Sequence, residues 1–249
     1  MAALSVVIYF LVPVFNESPN IAGLAASLQA VPADEPKFFV LVDDCSADDT
    51  IAQIHDHFGH SDYQLLDKST NRGPGHSFNL GFAWILRHGS PGDRIVTLEG
   101  DNTSDVSSLG EMLPISALGY DLVLASVYAQ GGSLGSTTVW RKTISFVANA
   151  LLRSVFDIRV ATLTSFYRVY SYDLLTRIQA AYPEIIEEPG YISMTEVLIK
   201  AIRVGARIIE VPTRILSEKR AGTSKMKIVS TALSYLRFLQ RDLRPRGQG

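Results

Sequence analysis

Hydrophobic and polar positions in the first half of the chain alternate between two periods. Short apolar runs of strand length lie at Ser5–Val12, Lys37–Val42, Tyr63–Leu66, Arg94–Leu98 and Asp121–Ser126. Between them, Ser18–Ala30, Asp48–Phe58, Gly75–Arg87 and Val106–Leu118 carry helical spacing. Ser18 is placed to cap the first helix with Pro19 at its first position. Phe78, Phe82 and Ile85 share one face of the third. This alternation predicts an α/β fold built on a mainly parallel sheet. Ligands of such sheets bind at the carboxyl ends of the strands. Four polar segments fall there: Pro13–Glu17, Asp43–Ser46, Asn71–Gly75 and Glu99–Asp105.

The second half is less regular. Thr137–Val155 reads as a long amphipathic helix, Thr164–Tyr170 as β-like, Tyr191–Val204 as a helix and Arg207–Val211 as a strand. Ser217–Lys225 is a polar loop. Met226–Leu239 is an apolar helix flanked by Lys225, Lys227, Arg237, Arg241, Arg244 and Arg246. Such a helix either packs on the main domain or lies on an anionic membrane surface. The expected division is one domain over residues 1–225 and an amphipathic helix with a basic tail over 226–249.

Composition narrows the class. The 249 residues are 47% hydrophobic and 19% charged, ordinary for a folded domain with a large core. A net charge of −2 and a pI near 6.2 argue against a general nucleic-acid binder. The single cysteine, Cys45, excludes an intrachain disulfide and a multi-cysteine metal site. No apolar run reaches the ~18 residues of a membrane span. Met1–Val14 lacks a basic leader and runs straight into a polar segment, so it reads as a core strand rather than a signal peptide.

Candidate chemistry centres on Glu99-Gly100-Asp101, just past the fourth strand. Positions two apart on a strand point the same way, so both carboxylates converge if the extended geometry persists. Gly100 lets a ligand approach the backbone. This pair suits a hard divalent ion, and such an ion can hold a diphosphate. Asp43 and Asp44 suit either hydrogen bonds from a nucleoside or a local turn. Asn71-Arg72-Gly73-Pro74-Gly75 precedes a helix whose free N–H groups would attract an anion, or forms a tight loop. Neither a Walker sequence nor a Rossmann glycine fingerprint is present. His55, His57 and His60 read as solvated.

Taken in order, these segments resemble the family 2 nucleotide-sugar glycosyltransferases of the GT-A fold, a Rossmann-like sheet flanked by helices. The matching pieces are Val12–Glu17, Val42–Thr50, Asn71–Gly75 with Asn79 and Gly81, and Glu99-Gly100-Asp101 in the Asp-X-Asp position. Asp121–Tyr128, Gly131-Gly132, Ser165–Arg168, Glu210-Val211-Pro212 and Gly222–Lys225 are similar to the branch of dolichol- and polyprenyl-phosphate mannose synthases.

The resemblance implies a metal-dependent inverting hexosyltransferase, of mannosyltransferase type, using a GDP- or UDP-sugar donor and a polyprenyl phosphate acceptor. It implies a donor site at Pro13, Phe15, Glu17, Asp43, Asp44, Gly73, Gly100 and Asp101. It implies Mg²⁺ or Mn²⁺ on Glu99 and Asp101, and acceptor contacts at Arg141, Arg168, Arg220, Ser224 and Lys225. Asp101, Arg168 and Lys225 would be the catalytic groups. The enzyme would be cytoplasmic, docked at the membrane face through residues 226–246.

Several positions depart from the pattern. Glu99 stands where the acidic signature usually opens with Asp, and Thr103 where that branch often has a side-chain amide. Val127 replaces an expected Arg, and Thr162 an Asp. These changes bear on the acceptor more than on the nucleotide. A phosphate acceptor needs no general base, whereas a saccharide or small-molecule hydroxyl does. Glu196 is the candidate base, with Glu187-Glu188 beside it; alternatively Glu196 pairs with Lys200 at i+4. The Gln-X-X-Arg-Trp of the processive branch is absent. A sugar nucleotidyltransferase would open with a Gly-rich, Arg-containing loop instead of Val12–Glu17. The altered acidic signature also motivates a non-catalytic nucleotide-sugar binder as an alternative.

Overall fold

The computed structural model describes residues 6–133 and 160–222. Its strands are β1 (Ile8–Val14), β2 (Lys37–Asp43), β3 (Tyr63–Asp67), β4 (Arg94–Thr97), β5 (Leu122–Ser126), β6 (Arg168–Ser171) and β7 (Ile208–Pro212). They form one sheet in the order β3-β2-β1-β4-β6-β5-β7. Every neighbouring pair is parallel except those made by β6, which runs antiparallel between β4 and β5. The carboxyl ends of β1, β2, β3, β4, β5 and β7 therefore meet along one edge, together with the start of β6. The described helices are α1 (Ser18–Gln29), α2 (Thr50–Phe58), α3 (Pro74–His88), α4 (Leu109–Ala117), α5 (Tyr172–Ala181) and α6 (Ser193–Arg203).

Strand alternation divides the core into two layers. Ile8, Phe10, Val12 and Val14 of β1 face Ile21, Leu24 and Leu28 of α1, Ile54 and Phe58 of α2, and Leu109 and Met112 of α4. Tyr9 and Leu11 face the other way, toward Phe78, Phe82 and Ile85 of α3, Leu174 and Ile178 of α5, and Val197 and Leu198 of α6. Each such side chain, fully buried, contributes about 1.5–3 kcal/mol. Helices on both faces leave the carboxyl edge as the place where polar loops gather.

Local chemistry moves several predicted boundaries. Ser18 is the first residue of α1 rather than its cap; Glu17 holds the cap position, and the Ser18 N–H reaches the Asp48 carboxylate at 3.2 Å. Asp48 also accepts from Thr50 N and Oγ1, so α2 starts at Thr50. Val106–Leu118 divides into a 3-10 turn at Val106–Ser108, capped by Asp105, and then α4. Helix α5 was not anticipated, although Ser171 caps it by accepting from Leu174 N. The β-like reading of Thr164–Tyr170 shrinks to β6. The helices expected at Thr137–Val155 and Met226–Leu239 lie outside the described residues. Among the described residues, no helix is long and apolar enough to cross a membrane.

Candidate active site at the carboxyl edge

The loops after β1, β2 and β3 are knitted together by side-chain to backbone bonds. Asn16 accepts from Ala47 N at 2.7 Å and its own N–H reaches Ser46 Oγ at 2.8 Å. Glu17 N donates to Thr50 Oγ1 at 2.8 Å. Asp43, fully buried, accepts from Ser46 N at 2.8 Å and from the Ser46 hydroxyl. Asp44 accepts from Arg72 N and Gly73 N, both at 2.8 Å, and pairs with the buried Lys68 ammonium at 2.5 Å. Asn16, Cys45 and Asn102, one after each of β1, β2 and β4, hold the left-handed backbone region. Non-glycine residues rarely adopt that region, and such outliers concentrate at functional sites.

The Asn71–Gly75 turn is buttressed from behind. Gly75 N donates to Pro189 O at 2.8 Å, and a Cβ on Gly75 would lie 2.0 Å from Glu188 O. Segment 184–190 is in turn clamped by α6. Glu196 accepts from Glu187 N at 3.0 Å and Glu188 N at 2.8 Å, and pairs with Lys200 at 2.8 Å. Lys200 also donates to Glu184 O and reaches Glu187 Oε1 at 3.2 Å.

The acidic pair sits in the middle of the edge. A Cβ on Gly100 would lie 2.8 Å from Val14 Cγ1 and 3.0 Å from Pro13 O, so only glycine lets the β4 exit pack on the β1 exit. Asp101 Oδ1 accepts from Thr103 N at 3.1 Å and Thr103 Oγ1 at 2.7 Å. Asp101 Oδ2 contacts the Arg220 guanidinium. Burial pushes the Glu99 carboxyl up, Arg220 pulls it down, and Glu17 pushes it up again. Burial also raises the Tyr191 hydroxyl, with Glu99 and Glu17 adding to the effect, so Tyr191 lies in the field of the same acidic group. Its ring meets Phe166 edge-on at 5.7 Å.

Segment 213–222 crosses this edge. Thr213 N donates to Ser126 O at 3.0 Å and Leu216 N to Thr103 O at 2.9 Å. Arg214 pairs with Asp105 at 3.0 Å. Ala221 N donates to Asn20 Oδ1 at 2.8 Å, and Asn20 Nδ2 donates back to Ala221 O at 3.1 Å.

The profile of Glycosyl transferase family 2 matches residues 9–178, more than half of the chain. The chain belongs to glycosyl transferase family 2. It is 25% identical over 219 residues to a polyprenol monophosphomannose synthase of Mycolicibacterium smegmatis, covering 87% of this chain and 79% of that protein. It is 29% identical over 219 residues to an undecaprenyl-phosphate mannosyltransferase of Micrococcus luteus, covering 87% and 86%. Among solved structures, the glucosyl-3-phosphoglycerate synthase of Mycobacterium tuberculosis bound to Mn²⁺, UDP and glucosyl-3-phosphoglycerate matches with a TM-score of 0.65 at 16% identity, over 95% of this chain and 77% of that one. At that identity the likeness shows the fold, which is the GT-A fold.

This family 2 glycosyltransferase brings Pro13, Phe15, Glu17, Asp43, Asp44, Gly73, Glu99, Gly100, Asp101 and Arg220 to the same edge of the sheet. Three expectations need correction. Arg168 is fully buried beneath the edge, where its guanidinium donates to Ser165 O, Met194 O and Leu163 O at 2.7–2.8 Å and to the Tyr170 hydroxyl. It ties β6 to α6 and does not face an acceptor phosphate. Glu196 is 2% exposed and engaged on both oxygens, so it is the i+4 partner of Lys200 rather than a base. The glycine turn offers no anion cradle at Arg72, Gly73 or Gly75, whose N–H groups are taken by Asp44 and Pro189. Arg141, Ser224 and Lys225 lie outside the described residues.

Thr162, one of the departures, bonds to Ser126 at 2.7 Å, while Glu210 accepts from Ala161 N and Thr162 N at 2.8 Å. Asn20, Lys68 and Tyr191 were not foreseen. Asn20 had a signal: it shares a helical stripe with Leu24 and Leu28, where a polar residue is out of place.

A divalent ion fits the acidic pair by its donor chemistry. β4 ends at Thr97 and the chain turns at Gly100-Asp101, so strand alternation does not converge the two carboxylates. The hard oxygens such an ion prefers are those of Asp101, with the Thr103 hydroxyl bonded to it, and of Glu99, which feels the same Arg220 charge. Among the described residues no group of three or more His, Cys, Asp or Glu side chains could hold an ion, so oxygens of a bound diphosphate would complete the shell.

Proposed function

We propose that this enzyme is a hexosyltransferase that moves a sugar from a nucleotide diphosphate donor to a polyprenyl phosphate, with inversion at the anomeric carbon. The single observation that carries the choice of acceptor is the state of Glu196. Its carboxylate is committed to two backbone amides and a buried ammonium, so the expected base for a hydroxyl acceptor is spent. A phosphate monoester is already ionised near neutral pH and needs no base. The names of the mycobacterial and micrococcal relatives support the same reading, and their mannosyl specificity suggests a mannosyl donor.

In the reaction, an acceptor phosphate oxygen bonds to the anomeric carbon as the bond from that carbon to the diphosphate breaks. The nucleoside diphosphate leaves with the electron pair. Asp43 and Asp44 shape the nucleoside cleft by fixing the loops after β2 and β3. Glu99 and Asp101 would hold Mg²⁺ or Mn²⁺ on the diphosphate, and the ion would neutralise charge on the leaving group. Arg220, in contact with Asp101, would face that charge, and Ser224 and Lys225 follow it in sequence. Residues 226–246, with their basic flanks, would rest on the cytoplasmic face of an anionic membrane where the lipid acceptor is found.

The test is incubation with GDP- and UDP-sugars, Mn²⁺ and a short-chain polyprenyl phosphate, followed by extraction of glycolipid. Lipid-linked sugar is the expected product, and its absence with every common donor would sink the proposal. A hydroxyl acceptor remains as a second reading because Arg168, one expected phosphate contact, is buried. Transfer to glycerate or a saccharide in the same assay would establish it.

A further inference from the structure

Segment 213–222 behaves as a strap fixed at both ends. One end is held by Thr213 N on Ser126 O and by the Arg214–Asp105 pair. The other is held by the two reciprocal bonds between Asn20 and Ala221. Asn20 is only 3% exposed and is itself braced by Glu17 Oε2 at 2.5 Å. Between the anchors, the Arg220 guanidinium lies on Asp101 Oδ2.

We propose that Arg220 is an internal counter-ion occupying the cation position of the Glu99/Asp101 pair until metal and diphosphate arrive, and that Asn20 is the positioning residue that latches it there. This rests on the metal-dependent donor reading above. The Arg220 guanidinium contacts Asp101, and its positive charge also acts on Glu99, so in this conformation one cation offsets both carboxylates. A divalent ion needs the same Asp101 oxygen, so ion and guanidinium exclude each other at Oδ2. Once displaced, Arg220 stands beside the diphosphate that the ion binds, and a guanidinium pairs with phosphate oxygens in the same two-pronged way as with a carboxylate. Metal alone must then break a contact without replacement, whereas metal with diphosphate exchanges one partner of Arg220 for another. Metal and nucleotide should therefore bind cooperatively, each raising the affinity of the other by the same factor.

The experiment measures Mn²⁺ binding to the full chain by electron paramagnetic resonance of the free ion, without and with UDP or GDP. Arg220→Gln should bind Mn²⁺ roughly tenfold more tightly than wild type without nucleotide, the factor expected if the unlatched state is about a tenth of the ensemble. The same variant should lose most of the cooperativity with nucleotide. Asn20→Ala and Ala221→Pro leave every charge in place and remove the latch from opposite sides. Both should also tighten Mn²⁺ binding, and hydrogen exchange over residues 214–222 should quicken. General damage to the fold would weaken metal binding instead. Equal affinity in wild type and Arg220→Gln overturns the proposal and leaves the metal reading intact. A gain in Arg220→Gln with none in either unlatching variant reduces the effect to bulk charge and overturns the latch. No Mn²⁺ binding by any form, even with nucleotide, overturns the metal reading and this proposal with it.

Discussion

Aspartates at this carboxyl edge differ in task although the sequence presents them alike. Asp43 and Asp44 are spent on loop geometry, while Asp101, past the end of the central strand β4, holds Thr103 on one oxygen and the Arg220 guanidinium on the other. Asp101→Ala is expected to lower transfer by at least about 10²–10³, the usual cost of one electrostatic contact to a leaving group. Glu99→Asp should keep most of the rate; initial velocities at saturating Mn²⁺ read both. Asp105 shows how a residue's surroundings set its titration. Burial would raise its carboxyl, but bonds from Ser107 and Arg214 outweigh that and hold it below the ordinary carboxylate range. A depressed carboxylate stabilises the fold above the unfolded-state value near 3.9 and loses that contribution as pH falls through the folded value. Asp105→Asn should therefore cost about 1 kcal/mol at neutral pH. The gap from wild type should close in urea melts taken progressively below about pH 4.

At the scale of elements, the site is a set of strand exits held in place by parts of the chain distant in sequence. Glu196 and Lys200 on α6 clamp segment 184–190, which buttresses the turn that opens α3. Breaking a buried ion pair typically costs about 3–5 kcal/mol. Lys200 keeps Glu187 and backbone carbonyls as partners, so Glu196→Gln should cost about 1–3 kcal/mol in chemical denaturation. Its pH–rate profile should keep the acidic limb of wild type. Loss of that limb would restore Glu196 as a general base. Arg168 belongs to the same scale, since it joins β6 to the loop before it and to α6.

For the whole molecule, binding of donor is a stabilising linkage. Nucleotide sugar with Mn²⁺ at a hundred times its dissociation constant adds about 2.7 kcal/mol. For a domain of this size that corresponds to a rise in Tm of roughly 5–10 °C. A thermal-shift panel of GDP- and UDP-sugars, with and without Mn²⁺, should show the largest rise for the true donor and only with metal present.

The amino-acid sequence alone determined the layered α/β architecture and the edge on which the site lies. Alternating periods and turn residues are local signals, and they placed Pro13–Glu17, Asp43-Asp44 and Glu99–Asp101 at strand exits. Helix α5 has local signals too, in the Ser171 cap and the Leu174, Leu175, Ile178 spacing. What each polar residue does was decided only by tertiary structure. Arg168 and Glu196 look like site residues until their partners are seen, because a charge on a strand or helix does not reveal whether it meets solvent, ligand or a buried carbonyl. The strap is the clearest case. Asn20 and Ala221 are 201 positions apart, and only the folded chain brings them together and sets Arg220 on Asp101.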